Sequence, residues 1–381
     1  MTLNAVFAMD SLTAASGLWN AAGEMAEHLR DGGGQVHLHA SVRFDIDEIN
    51  TGVLQSYSSA GLLKEDESQN YVIRAVASYR NLREICNRVQ AGLIVSHTPQ
   101  ADMVAGAVAA RLAIPWVPLV HNWPIPQGES RAAVKRLVWK NLLALQYRKA
   151  RTVIAVSNGL AEQLRSELVA REYAVVQNAV ALSERRRHSG TNPTLGLVGR
   201  LSPEKDPLRF VRLAAESGSR GVIVGDGELR SAIEDTIGRL SANVKVLGWV
   251  PREQSLDSVD VLIMPSLREG LPLILLEAAA RGIPILASDV GGVADVLQVD
   301  SGVAESCLLD KTATDDEWLN AIESLQTPEV RNELGGRLFE VTRSDFNIDA
   351  KRAAMTSEFR RAGVPRRLSA LVVEAVRGKN G

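Results

Sequence analysis

The stretch Pro265-Ser266-Leu267-Arg268-Glu269-Gly270-Leu271-Pro272-Leu273-Ile274-Leu275-Leu276-Glu277-Ala278 holds two glutamates separated by seven residues. It follows an apolar strand at 260–264, so Glu269 falls in a loop. Pro272 suits the first turn of a helix, where its missing N–H costs nothing. Glu277 then lies a little over one turn further along. Anionic ligands settle at helix N-termini and at the carboxyl ends of parallel strands. A phosphate held at this helix start would leave both carboxylates able to accept hydrogen bonds from sugar hydroxyls. Two glutamates at this spacing are common in any sequence. What sets this pair apart is Ser, Gly and Pro at fixed offsets, then an Ala-rich helix, Gly282-Ile283-Pro284, a second apolar strand and Gly291-Gly292.

Outward from that stretch, the chain reads as two wound halves. Its 381 residues exceed the ~250–300 at which a single core stops growing, which predicts two domains. Strands are expected at 3–9, 36–39, 92–96, 116–120, 152–156 and 174–176. A second series runs at 194–198, 221–224, 244–247, 260–264 and 284–287, with a weaker one near 304–309. Helical spacing between them, as at Leu18, Ala22, Met25, Ala26 and Leu29, predicts parallel sheets covered on both faces. The charged, then turn-rich segment 184–193 reads as a linker, giving an N-terminal domain over 1–183 and a C-terminal one over 194–364. The tail 365–381 carries an amphipathic stripe of Leu368, Leu371, Val372 and Ala375.

Composition narrows the functional class. A formal net charge of −2 implies no general affinity for nucleic acid. Cys86 and Cys307 stand alone without metal spacing and read as buried apolar thiols in a reducing compartment. No uncharged apolar run reaches ~18 residues, and the N-terminus lacks the form of a signal peptide. The expected location is cytoplasmic. The segment 131–151 is rich in cations and free of acids, with Trp139, Leu142, Leu143 and Leu145 as apolar area. It reads either as a packed helix with a solvated basic face or as a helix lying on an anionic membrane surface.

Several loops can carry chemistry. Gly199-Arg200 and Lys205 follow the first strand of the second half, and two cations beside an open glycine can clamp a diphosphate. A solvated loop explains the same residues. Gly225-Asp226-Gly227 lacks the third glycine of a dinucleotide fingerprint and reads as a tight βα turn. His121 ends a strand and can donate to a sugar hydroxyl, or serve as a satisfied structural histidine; His97 ends another. Ser157-Asn158 reads as a helix cap first. Asp45-Ile46-Asp47 lies away from every strand end and reads as solvated surface, so no metal is expected.

From Asp260 to Asp295 the sequence resembles, without a gap, the signature of retaining family-four glycosyltransferases of the GT-B fold. The resemblance is strong over 194–302 and looser before it. It implies an α/β chain of two doubly wound Rossmann-like domains facing across a cleft, with 365–381 crossing back onto the first domain. The implied reaction moves a sugar from a nucleotide diphosphate sugar, a UDP-sugar by family frequency, to an acceptor hydroxyl with retention. In that reading Arg200 and Lys205 clamp the diphosphate, Glu269 and His121 address the donor sugar, and Glu277 takes the ribose hydroxyls. Gly17, Gly225, Gly248, Gly270, Leu271 and Leu273 line the donor site. The family's N-terminal loop carries paired glycines where this chain has Ser16-Gly17. The implied partners are the nucleotide-sugar co-substrate, with no other cofactor, and a saccharide or lipid-linked acceptor in cell-surface polysaccharide or glycolipid synthesis. The competing readings are a GT-B nucleotide-sugar epimerase, a transferase using a GDP-sugar and a small soluble acceptor, and a non-catalytic sugar-nucleotide binder.

Overall fold

The computed structural model describes residues 3–9, 17–31, 33–41, 56–59, 71–125 and 133–361. These form two compact units, one holding the chain up to Val176 and again from Lys351, the other holding Gln177–Ala350.

The first unit is built on a seven-stranded parallel sheet. Its strands are β1 (Asn4–Met9), β2 (Gln35–Ala40), β3 (Ser56–Ser59), β4 (Leu93–Ser96), β5 (Trp116–Val120), β6 (Val153–Ala155) and β7 (Tyr173–Val175), in the order β3-β2-β1-β4-β5-β6-β7. β4, β5 and β6 are buried along their whole length and β1 along all but its first residue. Helices cover both faces of such a sheet, which is why its strands read as apolar runs rather than alternating ones. The second unit holds six parallel strands, β8 (Leu195–Val198), β9 (Gly221–Val224), β10 (Val244–Gly248), β11 (Val261–Met264), β12 (Ile285–Ser288) and β13 (Leu308–Leu309), in the order β10-β9-β8-β11-β12-β13. In both sheets the order reverses beside the first strand, between β1 and β4 and between β8 and β11. Loops leaving neighbouring strands at such a point turn to opposite faces and open a crevice at the carboxyl ends.

Three elements differ from expectation. β3 is a Ser-Tyr-Ser-Ser strand with no apolar run to announce it. The expected strand at 304–309 is mostly the helix Ser301–Cys307, because Asp300 Oδ1 accepts from the amides of Gly302 (2.9 Å) and Val303 (3.1 Å) and starts a helix there. Pro272 sits one residue outside its helix, at the N-cap of Leu273–Ala280.

The segment 184–193, expected as a linker, is hydrogen-bonded into the second unit. Arg186 donates to the carbonyls of Val259 (2.5 Å) and Leu256 (3.1 Å), and the His188 ring pairs with the Gly282 carbonyl at 3.0 Å. Buried Arg331 donates to the Gly190 carbonyl at 2.5 Å. Its charged composition marks these bonds, not freedom. The expected crossover at 365–381 lies outside the described residues. The chain rejoins the first unit earlier, through the helix Ile348–Arg361, where Thr356 Oγ1 meets His28 Nε2 at 2.9 Å and Arg361 pairs with Glu172. Cys86 and Cys307 are buried, and burial pushes both thiols up to about 12.

Candidate functional site

In the second unit three loops close on one another at the carboxyl ends of β8, β9 and β10. Gly199 N donates to the Val224 carbonyl (2.9 Å), Gly225 N to the Gly248 carbonyl (2.7 Å) and Leu201 N to the Asp226 carbonyl (2.9 Å). Gly225 has φ 134°, and a Cβ there would lie 1.9 Å from the Gly199 carbonyl oxygen. Only glycine lets the two loops touch. Gly225 thus acts as a spacer under the loop that carries Arg200 and Lys205, while Gly248, at φ 74°, holds Gly225 through its carbonyl.

That loop turns through the short 3-10 segment Pro203–Lys205. The Glu204 carbonyl accepts from Leu267 N at 2.7 Å, which ties it to the loop after β11 across the switch point. Lys205 Nζ is thereby set 2.6 Å from Glu269 Oε1, and Ser266 Oγ donates to the same oxygen at 2.7 Å. Glu269 is only 8% exposed. A carboxylate buried that far needs compensation, and charge-assisted bonds are roughly twice as strong as neutral ones. Neither of these bonds uses Oε2. Behind the pair, a Cβ on Gly291 would lie 1.8 Å from the Glu269 carbonyl oxygen, and Gly292 N donates to the Gly270 carbonyl at 2.5 Å. Arg200 is exposed. The Glu204 carboxyl is held below its ordinary range by the Ser202 hydroxyl and its own amide, with Arg268 and Arg200 adding to the effect.

Glu277 is the fifth residue of the helix Leu273–Ala280, and Arg252 Nε donates to its Oε1 at 2.5 Å. Leu273 opens that helix, and buried Leu271 accepts through its carbonyl from Asn178 Nδ2 at 2.8 Å. Sequence reasoning did not single out Arg252 or Arg268. Arg252 lies four residues after Gly248, which was expected to line the donor site, and Arg268 next to Glu269, so position could have flagged both.

In the first unit His97 follows β4 and His121 follows β5. His97 Nδ1 and His121 Nε2 are 3.1 Å apart, with ring centroids at 5.4 Å. Burial first, then Lys351, lowers His121 to about 3. Burial, His121 and Lys351 hold buried His97 well below the usual histidine value. Both rings are therefore neutral, and one donates to the other. His97 Nε2 has no partner among the described residues. Gly17 is the first residue of the helix Gly17–Asp31. Ser157 caps the helix Asn158–Glu167, accepting from Leu160 N at 3.1 Å. Asp45-Ile46-Asp47 lies outside the described residues. Among the described residues no group of three or more His, Cys, Asp or Glu could hold a metal ion, and no helix is long and apolar enough to cross a membrane.

Comparison with known proteins bears on both units. Residues 15–184 match the family model described as Glycosyltransferase Family 4, and residues 192–327 match Glycosyl transferases group 1. The UDP-Gal:alpha-D-GlcNAc-diphosphoundecaprenol alpha-1,3-galactosyltransferase of Escherichia coli is 30% identical over 251 residues, covering 58% of this chain and 64% of that one. The match thus spans a little under two thirds of that relative's own length. Among solved structures, the sucrose-phosphate synthase of Thermosynechococcus elongatus superposes with a TM-score of 0.78 at 18% identity, covering 93% of this chain and 98% of that one. Anabaena HepE in complex with UDP-glucose superposes at 0.76 and 17% identity, covering 93% and 99%. These likenesses agree with the two parallel sheets and with the family resemblance of residues 260–295: the chain belongs to the family-four glycosyltransferases of the GT-B fold.

Proposed function

We propose that this chain transfers a sugar from a nucleotide diphosphate sugar to an acceptor hydroxyl, with retention at the anomeric carbon, in the synthesis of a cell-surface polysaccharide or glycolipid. The observation that carries this reading is the Lys205–Glu269 pair, held at 2.6 Å beside the β8/β11 switch point. A cation and a carboxylate joined there supply both partners that a sugar diphosphate needs. Lys205 and Arg200 stabilise negative charge that grows on the departing diphosphate, the largest kind of electrostatic contribution to such reactions. Glu269 Oε2 accepts from a donor-sugar hydroxyl, and in the first unit His121 offers a hydrogen bond to a sugar hydroxyl. Glu277, fixed by Arg252, accepts from the ribose hydroxyls.

Retention follows from front-face attack. The bond from C1 to the phosphate oxygen breaks, the acceptor oxygen bonds to C1 on the same face, and the leaving phosphate takes the acceptor proton. The chain's own residues hold the diphosphate and sugar, and no metal is invoked. A UDP-sugar donor and a lipid-linked acceptor are favoured because the E. coli relative's name joins UDP-Gal to a diphosphoundecaprenol-linked sugar.

A thermal-shift panel of UDP, GDP and ADP with their sugar conjugates tests the donor. Ligand at 100 times its dissociation constant stabilises by about 2.7 kcal/mol. A shift with one base alone names the donor class, and the anomeric configuration of the product then tests retention. No shift with any of them would remove the donor site.

A further inference from the structure

The helix Ala133–Tyr147 buries Leu143 and Tyr147, one turn apart, with Trp139 half-buried a turn earlier. That stripe is its packing face. The opposite side is apolar as well. Val134 is 73% exposed, Leu137 60%, Val138 53%, Leu142 42% and Leu145 52%. Steps of three and four residues place these side chains together on one side of the helix. Of the twelve large hydrophobic side chains exposed among the described residues, these five share one helix while the others are scattered. Scattered exposure needs no explanation, whereas a contiguous apolar stripe marks an interaction surface.

Charge decides what covers it. Lys135 and Arg136 are exposed on the first turn, and Arg148, Lys149 and Arg151 are exposed just past the last. Lys140 is engaged by Glu167 at 3.1 Å. From Ser130 to Ala161 the sequence contains no Asp or Glu. A second copy of this chain docking face to face would set these cations against themselves, because a two-fold interface pairs each patch with its own image. A purely apolar partner would leave them unused. We propose that this face docks the protein on an anionic lipid bilayer, with the apolar stripe in the interfacial layer and the flanking cations on the headgroups. The inference rests on the helix alone and does not depend on the proposed transfer reaction.

Sedimentation of the full chain with vesicles tests it, using phosphatidylcholine alone and phosphatidylcholine mixed with phosphatidylglycerol. Binding is expected to the mixed vesicles at low salt, weaker as salt rises, and near absent on phosphatidylcholine. Leu137→Glu with Val138→Glu should abolish binding, while Lys135→Glu with Arg136→Glu should weaken it by roughly thirtyfold or more. Both variants change exposed side chains, so the nucleotide-induced thermal shift should survive in each, which separates docking from donor binding. Wild-type protein left in the supernatant with anionic vesicles would overturn the proposal. So would equal sedimentation of Leu137→Glu/Val138→Glu and wild type. A concentration-dependent dimer dispersed by that variant, without vesicle binding, would reassign the face to self-association.

Discussion

The two units handle charge in opposite ways. The second joins cations to carboxylates: Lys205 with Glu269, Arg252 with Glu277, Arg209 with Asp315. The first disfavours charge on the titratable groups it buries. His97 and His121 share one bond with neither ring charged, buried His39 falls to about 4, and burial raises Asp102 to about 7. An ionised pair at a strand end is suited to a ligand that carries charge and to a reaction that moves it. A neutral pair offers hydrogen bonds to hydroxyls without attracting anions. That difference suits the second unit to a charged diphosphate and the first to uncharged hydroxyls.

The largest effect should come from breaking the ionised pair. Lys205→Ala is expected to lower kcat by about 10²–10³, the range for losing one group that stabilises transition-state charge. It also leaves Glu269 buried with Ser266 as its one side-chain donor among the described residues, so the midpoint of thermal unfolding should fall. Combining it with Glu269→Gln should restore stability but not turnover. If the double variant recovers activity, the pair is structural and the contrast between the units loses its meaning.

Next in size is a stability effect in the neutral unit. Asp102 accepts from Ser96 Oγ at 2.6 Å and Tyr147 OH at 2.8 Å, and Trp116 Nε1 donates to the Ser96 hydroxyl at 2.8 Å. Burial raises Asp102 to about 7 against the pull of those two donors. Its folded value lies above the unfolded one, so the folded state binds the extra proton between pH 4 and 7. Stability therefore falls as pH rises through that window and is level above it. Asp102→Asn removes the titration. The stability of wild type relative to this variant should drop by about 3 kcal/mol from pH 4 to pH 7, measured by urea unfolding. A constant difference would mean that Asp102 is ionised, and the first unit would then hold a buried charge after all.

A smaller effect should mark the ribose end of the second unit. Arg252→Ala frees Glu277 from a 2.5 Å hydrogen bond without touching the proposed diphosphate clamp. The expected result is a donor KM raised about tenfold with kcat nearly unchanged, the pattern for lost uniform binding. A matching fall in kcat would extend the charged machinery from the clamp to this pair.

What the sequence made legible follows the same division. Both sheets could be read because parallel strands are apolar runs, and Lys205 and Glu269 because they stand in loops after such runs, with Glu277 on the helix that follows. Arg252 was not read, since an arginine after a proline turn is indistinguishable from surface until its fork is seen on Glu277. The pairing of His97 with His121 was hidden for another reason. Each ends a strand 24 positions from the other, and only the adjacency of β4 and β5 brings them together. The strand at 56–59 was missed because edge strands need little apolar content. The segment 184–193 was misleading because its arginines and His188 bond to carbonyls, which composition does not show.

The sharpest test of the contrast expects no effect at all. A histidine acting as an acid or base near neutrality leaves an inflection in the pH dependence of turnover close to its ordinary value of ~6.5. His121 is held at about 3 by burial and by Lys351, and His97 beside it is lower than usual for the same reasons. Both rings stay neutral at every pH where the protein is folded and active, so His121 can orient a sugar but cannot exchange its proton in that range. The expected profile of kcat between pH 5 and 8 therefore has no limb that disappears in His121→Gln, even though that variant is slower throughout. The same lowered values give a stability signature: the unfolded chain takes up protons below ~6.5 that the folded chain does not, so stability is lost as pH falls through that range. His121→Gln should flatten part of that acid slope. A limb near 6.5 in the wild type that the substitution removes would show a charged histidine in the first unit and undo its separation from the second.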